Sequence, residues 1–213
     1  MKIIKTKDGS NTIFLDSINE TYHSIHGAIL ESKHVFINNG LFTINKKRLK
    51  ILEIGLGTGL NTLLCINNIK DKTIFYTSLE PDPIDLNIIK KLNYGEILNT
   101  MNMFKKIHQS NWNEKIEINK NFFFIKIKKT IQKYITKEKF DIIFFDAFAP
   151  NKQPEMYKND IINKCYQLIN KGGFLVTYCA QGKFKRTLTK VGFDVQTLSG
   201  PPGKREMVKA IRK

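Results

Sequence analysis

Ile51-Leu-Glu-Ile-Gly-Leu-Gly-Thr-Gly-Leu-Asn61 is the stretch on which the reading of this chain turns. It runs from apolar residues through an acid to glycines at 55, 57 and 59, and then into a helical pattern. Glycines so placed admit positive φ and let a ligand lie directly against backbone N–H groups at a helix N-terminus. The spacing is GxGxG, whereas the dinucleotide fingerprint GxGxxG needs its third glycine where Leu60 stands.

Outward from that stretch, apolar runs predict strands at 49–54, 73–79, 122–127, 140–145, 173–178, 193–197 and 206–211. Most are too rich in Ile, Phe, Leu and Val to leave a face in water, so they belong in a sheet covered on both sides. Helical patterns at 59–67, 83–92, 130–135, 154–169 and 181–191 alternate with them. The expected fold is α/β, a doubly wound, mostly parallel sheet of about seven strands, with ligands at the carboxyl ends of the strands. Residues 1–47 read as an N-terminal extension packed on a core of residues 48–213. The extension offers a strand at 12–15 and a helical stretch near 24–36, closed by Asn38-Asn39-Gly40.

The chain has 213 residues, and its 35 Lys and Arg against 19 Asp and Glu give a net charge of +16. With 41% hydrophobic residues it is a folded basic protein and not a disordered basic tail. Part of the charge reflects a sequence loaded with Lys, Asn and Ile; the remainder favours a polyanion, through counterion release from phosphates. Cys65, Cys165 and Cys179 are odd in number and lack a CxxC spacing, which argues against a disulfide framework or zinc site. No signal-peptide pattern and no apolar run of membrane-spanning length occurs, so a cytoplasmic protein without membrane or metal partners is expected.

Glu53 sets the chemistry of the glycine loop. A carboxylate there repels a pyrophosphate but suits a ligand bearing an ammonium group, such as the methionine moiety of S-adenosylmethionine. Glu80 ends the second predicted strand, where an acid can take both hydroxyls of a ribose. Glu53, the glycines at 55, 57 and 59, and Glu80 are therefore expected at the cofactor. A second constellation is Phe140-Asp-Ile-Ile-Phe-Phe-Asp-Ala-Phe-Ala-Pro150, with Asp146 at the end of the fourth strand beside the topological switch point. Asp146 can accept N–H bonds from a substrate amine, Phe148 offers a π-face to a cationic centre, and Pro150 turns the chain across the same edge. A nitrogen methyl acceptor is favoured, with Asp146 as its orienter and proton acceptor.

These residues carry a resemblance. The chain resembles the methyltransferase half of the bacterial MnmC family, tRNA 5-methylaminomethyl-2-thiouridine-forming enzymes, and above all its stand-alone MnmD form. The likeness extends over residues 20–36, Glu53 to Asn61, Asp146 through Tyr157, Gly172-Gly173 and Gly200-Pro-Pro-Gly-Lys-Arg-Glu-Met207. It implies a class I, Rossmann-like methyltransferase that moves a methyl group from S-adenosylmethionine to the aminomethyl nitrogen of the wobble uridine in tRNA. By that likeness Glu53, Gly55, Gly57, Gly59, Asn61 and Glu80 would surround the cofactor and Asp146 would hold the amine; Lys204 and Arg205, which follow the sixth predicted strand, are expected to flank the active-site edge and grip phosphates. Bifunctional members add a flavin oxidoreductase domain that prepares the amine; the chain ends at Lys213, so a separate enzyme is expected to supply that substrate. Alternatives are methylation of another RNA or small amine, or an aminopropyltransferase-like reaction on the same fold.

One departure from the class I pattern stands out. Where an acidic pair after the third strand often contacts adenine, this chain has Lys128 and Lys129. The histidines His23, His26 and His34 lack a nearby Cys or carboxylate cluster and read as structural. Tyr22 and His26 are expected to border the cofactor pocket, and Trp112 to pack in the core.

Overall fold

The computed structural model describes residues 1–213. Three short strands come first, β1 (Lys2–Lys5), β2 (Asn11–Leu15) and β3 (Glu20–Thr21), and pair antiparallel as a small sheet in that order. They lead into α1 (Ala28–Ser32), which continues as a π-helical turn over Lys33–Asn38. Val35, Phe36 and Ile37 on that turn are fully or almost fully buried and join the same apolar cluster as Ile51 and Phe144. The N-terminal segment therefore shares the main core.

The main sheet is built from β4 (Arg48–Ile54), β5 (Thr73–Leu79), β6 (Ile116–Asn119), β7 (Phe122–Ile127), β8 (Phe140–Phe145), β9 (Ile169–Thr177), β10 (Phe193–Ser199) and β11 (Glu206–Arg212). Its spatial order is β10-β11-β9-β8-β4-β5-β7-β6. The five strands β9-β8-β4-β5-β7 run parallel, while β11 is antiparallel to both β9 and β10, and β6 is antiparallel to β7. The chain moves from β4 to β5 on one side and returns to β8 on the other, which makes β4/β8 the switch point of a doubly wound, Rossmann-like sheet. The eighth strand, beyond the expected seven, is β6; its four residues are too short a run to stand out in the sequence.

Helices cover the two faces unequally. On one face, α2 (Leu60–Asn67) and α5 (Met101–Gln109) pack with the N-terminal segment over Ile51, Tyr76, Phe122 and Phe144. On the other, α6 (Asn159–Leu168) and α7 (Gly182–Val191) pack over Leu52, Ile143, Phe145 and Leu175. Between β5 and α5 lie two single-turn helices, α3 (Leu86–Ile89) and α4 (Tyr94–Ile97). The helix predicted over 83–92 thus shrinks to α3, which starts only after Asp85, whose side chain accepts the Asn87 N–H at 2.7 Å. The helix predicted over 154–169 splits at Lys158 into a 3-10 turn, Pro154–Tyr157, and α6. The one predicted over 130–135 is a three-residue 3-10 turn, Ile131–Lys133. No helix is long and apolar enough to cross a membrane, and the three cysteines are buried and unbonded.

Phe144 lies at the centre of the first apolar layer, fully buried, its ring 5.0 Å from Phe36 and 6.1 Å from Tyr76. Truncation there removes packing against both the sheet and the N-terminal segment. Phe144→Ala is expected to cost about 3–5 kcal/mol in urea unfolding, the range for a buried aromatic that leaves a cavity. A loss near the ~0.5 kcal/mol typical of surface substitutions would contradict this shared core.

Candidate active site

Strand register builds the site. Ile54 pairs with Phe145 on one side and Leu79 on the other, and Leu79 pairs in turn with Ile127. The next residue of each strand therefore falls on one row at the carboxyl edge: Asp146, Gly55, Glu80 and Lys128. Backbone bonds continue across that row, with the Asp146 N–H donating to Ile54 O at 3.1 Å, Gly55 N–H to Leu79 O at 2.9 Å, and Glu80 N–H to Ile127 O at 3.0 Å. Gly55 has φ near +93°, and a Cβ there would stand 2.7 Å from the Asp146 carbonyl oxygen, so only glycine lets the loop pass this close to β8.

Above the row opens a groove of about 720 Å³, walled by Gly55, Leu56, Gly57, Glu80, Asp146 and Phe148 among others. Glu80 is aimed by backbone: the Gly57 N–H donates to Oε2 at 2.9 Å and the Asp82 N–H to Oε1 at 3.0 Å. Burial raises its pKa above the usual carboxylate value. Glu53 does not reach the groove. It is fully buried beneath the glycine loop, where Oε2 accepts from Ser78 Oγ at 2.6 Å and Thr62 Oγ1 at 3.1 Å, and Oε1 has no partner. Gly59 and Asn61 also stand outside the groove wall; Gly59 is the N-cap of α2, pressed by the His108 ring, and Asn61 acts from behind.

Asp146 is partly exposed and held by Asn61, whose Nδ2 donates to Oδ2 at 2.7 Å. Burial pushes its carboxyl up to about 7, against the Asn61 bond, which favours the charged form. The loop that follows is braced by hydroxyls: Tyr178 donates to Ala147 O at 2.8 Å and Tyr157 to Phe148 O at 2.9 Å. The Phe148 N–H donates to Gln153 Oε1 at 3.1 Å. Phe148 meets Tyr22 edge to face at 5.2 Å, and Tyr22 also lies against Gly57, so an aromatic pair closes the groove over the loop.

The segments from either end of the chain meet at this wall. Lys204 forms an ion pair with Glu31, which is 5% exposed, and its ammonium lies 3.8 Å from the Tyr178 ring centroid. Lys204 is therefore turned toward protein and not outward to a phosphate. Arg205 is exposed, and neither it nor Pro150 lines the groove. His26 packs on Gly203, away from the groove, and His34 bonds Ser199 O at 2.8 Å. His23, in contrast, lines it and meets Thr58 Oγ1 at 2.6 Å. On the far side of the loop the His108 Nε2–H donates to Thr58 O at 3.1 Å. Burial lowers both imidazoles to about 4, so both stay neutral clamps on the loop.

Asp82, Thr130, Gln153 and Tyr178 line the groove without having been singled out in the sequence. Trp112 is partly exposed, its ring 4.8 Å from the buried Lys126 ammonium, beside a cavity of about 280 Å³ that shares Leu56, Gly57 and Glu80 with the groove. No cluster of three or more His, Cys, Asp or Glu side chains is placed to hold a metal ion.

The groove fits S-adenosylmethionine in its donors and acceptors. Glu80 presents a backbone-anchored carboxylate of the kind that takes a ribose diol, and Gly55 and Gly57 bring no side chain of their own between the loop backbone and the groove. Comparison with known proteins agrees. Residues 88–213 match the model of a family described as S-adenosyl-L-methionine-dependent methyltransferases. A Campylobacter hominis protein named tRNA 5-methylaminomethyl-2-thiouridine biosynthesis bifunctional protein MnmC is 28% identical over 93% of this chain, which spans 31% of that relative's length. Among solved structures, MnmC2 of Aquifex aeolicus superposes over 100% of this chain and 70% of its own, with TM-score 0.81 at 23% identity. Spermidine synthase of Thermotoga maritima superposes over 98% of this chain and 67% of its own, with TM-score 0.64 at 14% identity.

Glu53 makes the loop sensitive to pH. Burial holds its carboxyl up to about 8, from an ordinary value of 4.5, so the folded protein keeps a proton that the unfolded chain releases. Its contribution to stability is complete below the unfolded pKa and is lost as pH rises through about 8. Glu53→Gln removes the titration, so the melting temperature of the variant is expected to gain on wild type between about pH 5 and pH 9. A difference that stays constant with pH would refute this burial.

Proposed function

Because the chain belongs to a family of S-adenosyl-L-methionine-dependent methyltransferases, we propose that it methylates the aminomethyl nitrogen of 5-aminomethyl-2-thiouridine at the wobble position of tRNA. The observation that carries the reading is Asp146. It is a braced carboxylate on the sheet's switch row, one strand from the glycine loop, and it faces a groove capped by Tyr22 and Phe148. The name of the Campylobacter hominis relative supports this substrate, and the net charge of +16 suits an RNA.

Gly55, Gly57 and Glu80 would hold the cofactor, Glu80 through the ribose hydroxyls; Glu53 would stiffen the loop from below, and Asn61 would serve through Asp146. S-adenosylmethionine supplies a methyl group activated by its sulfonium. The chain's residues must then fix the acceptor nitrogen in line with that methyl group, since positioning supplies most of the acceleration in such a displacement. Asp146 accepts an N–H bond from the amine, which sets the direction of the nitrogen lone pair. A nitrogen that accepts the methyl group must give up a proton, and Asp146 would be the group placed to take it. Its raised pKa, about 7, makes it a competent acceptor near neutrality. Tyr22 and Phe148 exclude water and offer ring faces to the partial positive charge on nitrogen. Family membership disfavours the aminopropyltransferase alternative, for which the resemblance to spermidine synthase is one of fold.

The direct test incubates the protein and S-adenosylmethionine with tRNA bearing 5-aminomethyl-2-thiouridine and analyses the digested nucleosides by mass spectrometry. A nucleoside heavier by one methyl-for-hydrogen exchange is expected, and an unshifted one overturns the reading. Asp146→Asn should lower the methylation rate by about 10²-fold or more while cofactor affinity by calorimetry is preserved. In the wild type the rate should fall as pH drops below about 7, where Asp146 takes up a proton. Wild-type turnover by Asp146→Asn would remove Asp146 from the mechanism.

A further inference from the structure

The connection from β7 to β8 leaves part of the sheet bare. It crosses the face that α6 and α7 cover elsewhere, but carries only the 3-10 turn Ile131–Lys133. On β5 and β7, Ile74, Tyr76, Phe122 and Phe124 are buried on the opposite face, while Phe75, Thr77, Phe123 and Ile125 on this one remain partly exposed. The result is a groove of about 890 Å³ that runs from the start of β4 up to Ile127 and Tyr134. Its upper end lies along the same connection whose residues Lys129 to Lys133 wall the active-site groove.

The lining is aromatic and basic. Phe75 and Phe123 stack at 5.1 Å with their rings 12° apart. Arg48 stands 5.3 Å from the Phe75 centroid, and Lys115 lies 5.1 Å and 5.4 Å from the two rings. Lys137 and Lys139 face them from the connection. Two carboxylates share the groove, and both are engaged, Glu138 with Lys50 and Asp141 with Lys46 and the Lys50 N–H. Arg48, Lys115 and Lys137 have no carboxylate within ion-pair distance. Near β11, by contrast, Lys185 pairs with Glu206 and Lys204 with Glu31.

Unpaired cations beside flat rings, along a channel, are the combination that tracks a nucleic-acid backbone: the cations neutralise phosphates and the rings take a base face. We propose that this groove is the docking track for the backbone of the RNA that presents the acceptor amine, a proposal that rests on the tRNA reading above. The sheet face then orients the RNA so that its modified nucleotide enters the neighbouring active-site groove from the side of the β7–β8 connection.

The test combines Arg48→Glu, Lys115→Glu and Lys137→Glu, with the corresponding Gln triple as a milder variant. Affinity for unmodified tRNA is measured by filter binding over a salt series, beside methylation of the aminomethyl-bearing tRNA and of the free nucleoside. The Glu triple is expected to weaken tRNA binding about tenfold or more and to flatten the salt dependence by about 0.9 for each phosphate that is no longer neutralised. The Gln triple should fall between it and wild type. Cofactor affinity, melting temperature and turnover of the free nucleoside should not change. Unaltered tRNA affinity and salt slope in the Glu triple overturn the docking track, including the case in which the groove serves an acidic protein. A wild-type protein that leaves both the tRNA and the nucleoside unmethylated overturns the functional reading instead.

Discussion

The register of four parallel strands is the constraint on which the site depends. Phe145, Ile54, Leu79 and Ile127 lie on one row, so the residues that follow them emerge together at the carboxyl edge. A shift of one residue in any of these strands would turn Asp146 or Glu80 into the core and bring an apolar neighbour to the edge. The register is fixed by burial on both faces, because Leu49, Ile51 and Leu52 on β4 are all fully covered and tolerate no exchange of sides. Fold stability and catalytic geometry are in this respect one property.

Around that row the protein gathers three carboxylates that are buried or half-buried. Glu53, Glu80 and Asp146 all have raised pKa values, with burial as the first cause in each. They nevertheless differ in task because they differ in partners. Glu80 is aimed by two backbone N–H groups, Asp146 by one side-chain amide, and Glu53 is sealed below the loop with an oxygen unpaired. The remaining wall comes from the N-terminal segment, the β7–β8 connection and the loop after Asp146, and behind it the two ends of the chain meet through Glu31 and Lys204. That pair uses up a lysine which otherwise would be free for phosphates, whereas Arg48, Lys115 and Lys137 on the bare face beside β7 stay unpaired.

Much of this was legible in the sequence, for a local reason. The central strands of the main sheet are rich in apolar residues, and the glycine loop is contiguous, so strand, loop and α2 could be read together. Elements governed by short-range competition were not legible. Pro81, Pro83 and Asp85 delay α3 to a single turn, and Lys158, with extended backbone, breaks the stretch 154–169. The helix α5, also missed, does carry an apolar side, Phe104 and Ile107 with Met101 and Met103 packed on the same core, but no side-chain cap marks its start. Tyr178 escaped for another reason: nothing in its neighbourhood says that its hydroxyl bonds the loop after Asp146.

By itself, the sequence determined the sheet, its switch point and the chemical types at the edge, because apolar runs, glycine spacing and the acids after strands are properties of neighbouring residues. Only the tertiary structure decided which of those residues face the groove. Glu53 lies near the end of β4 and Glu80 directly after β5, yet one side chain lies beneath the glycine loop and the other opens into the cavity. Lys204 and Arg48 are equally basic as letters, but one is paired with Glu31 and the other stands unpaired over Phe75. The reason is physical: the direction and partners of a side chain depend on packing between segments far apart in the chain, and no local pattern contains that information.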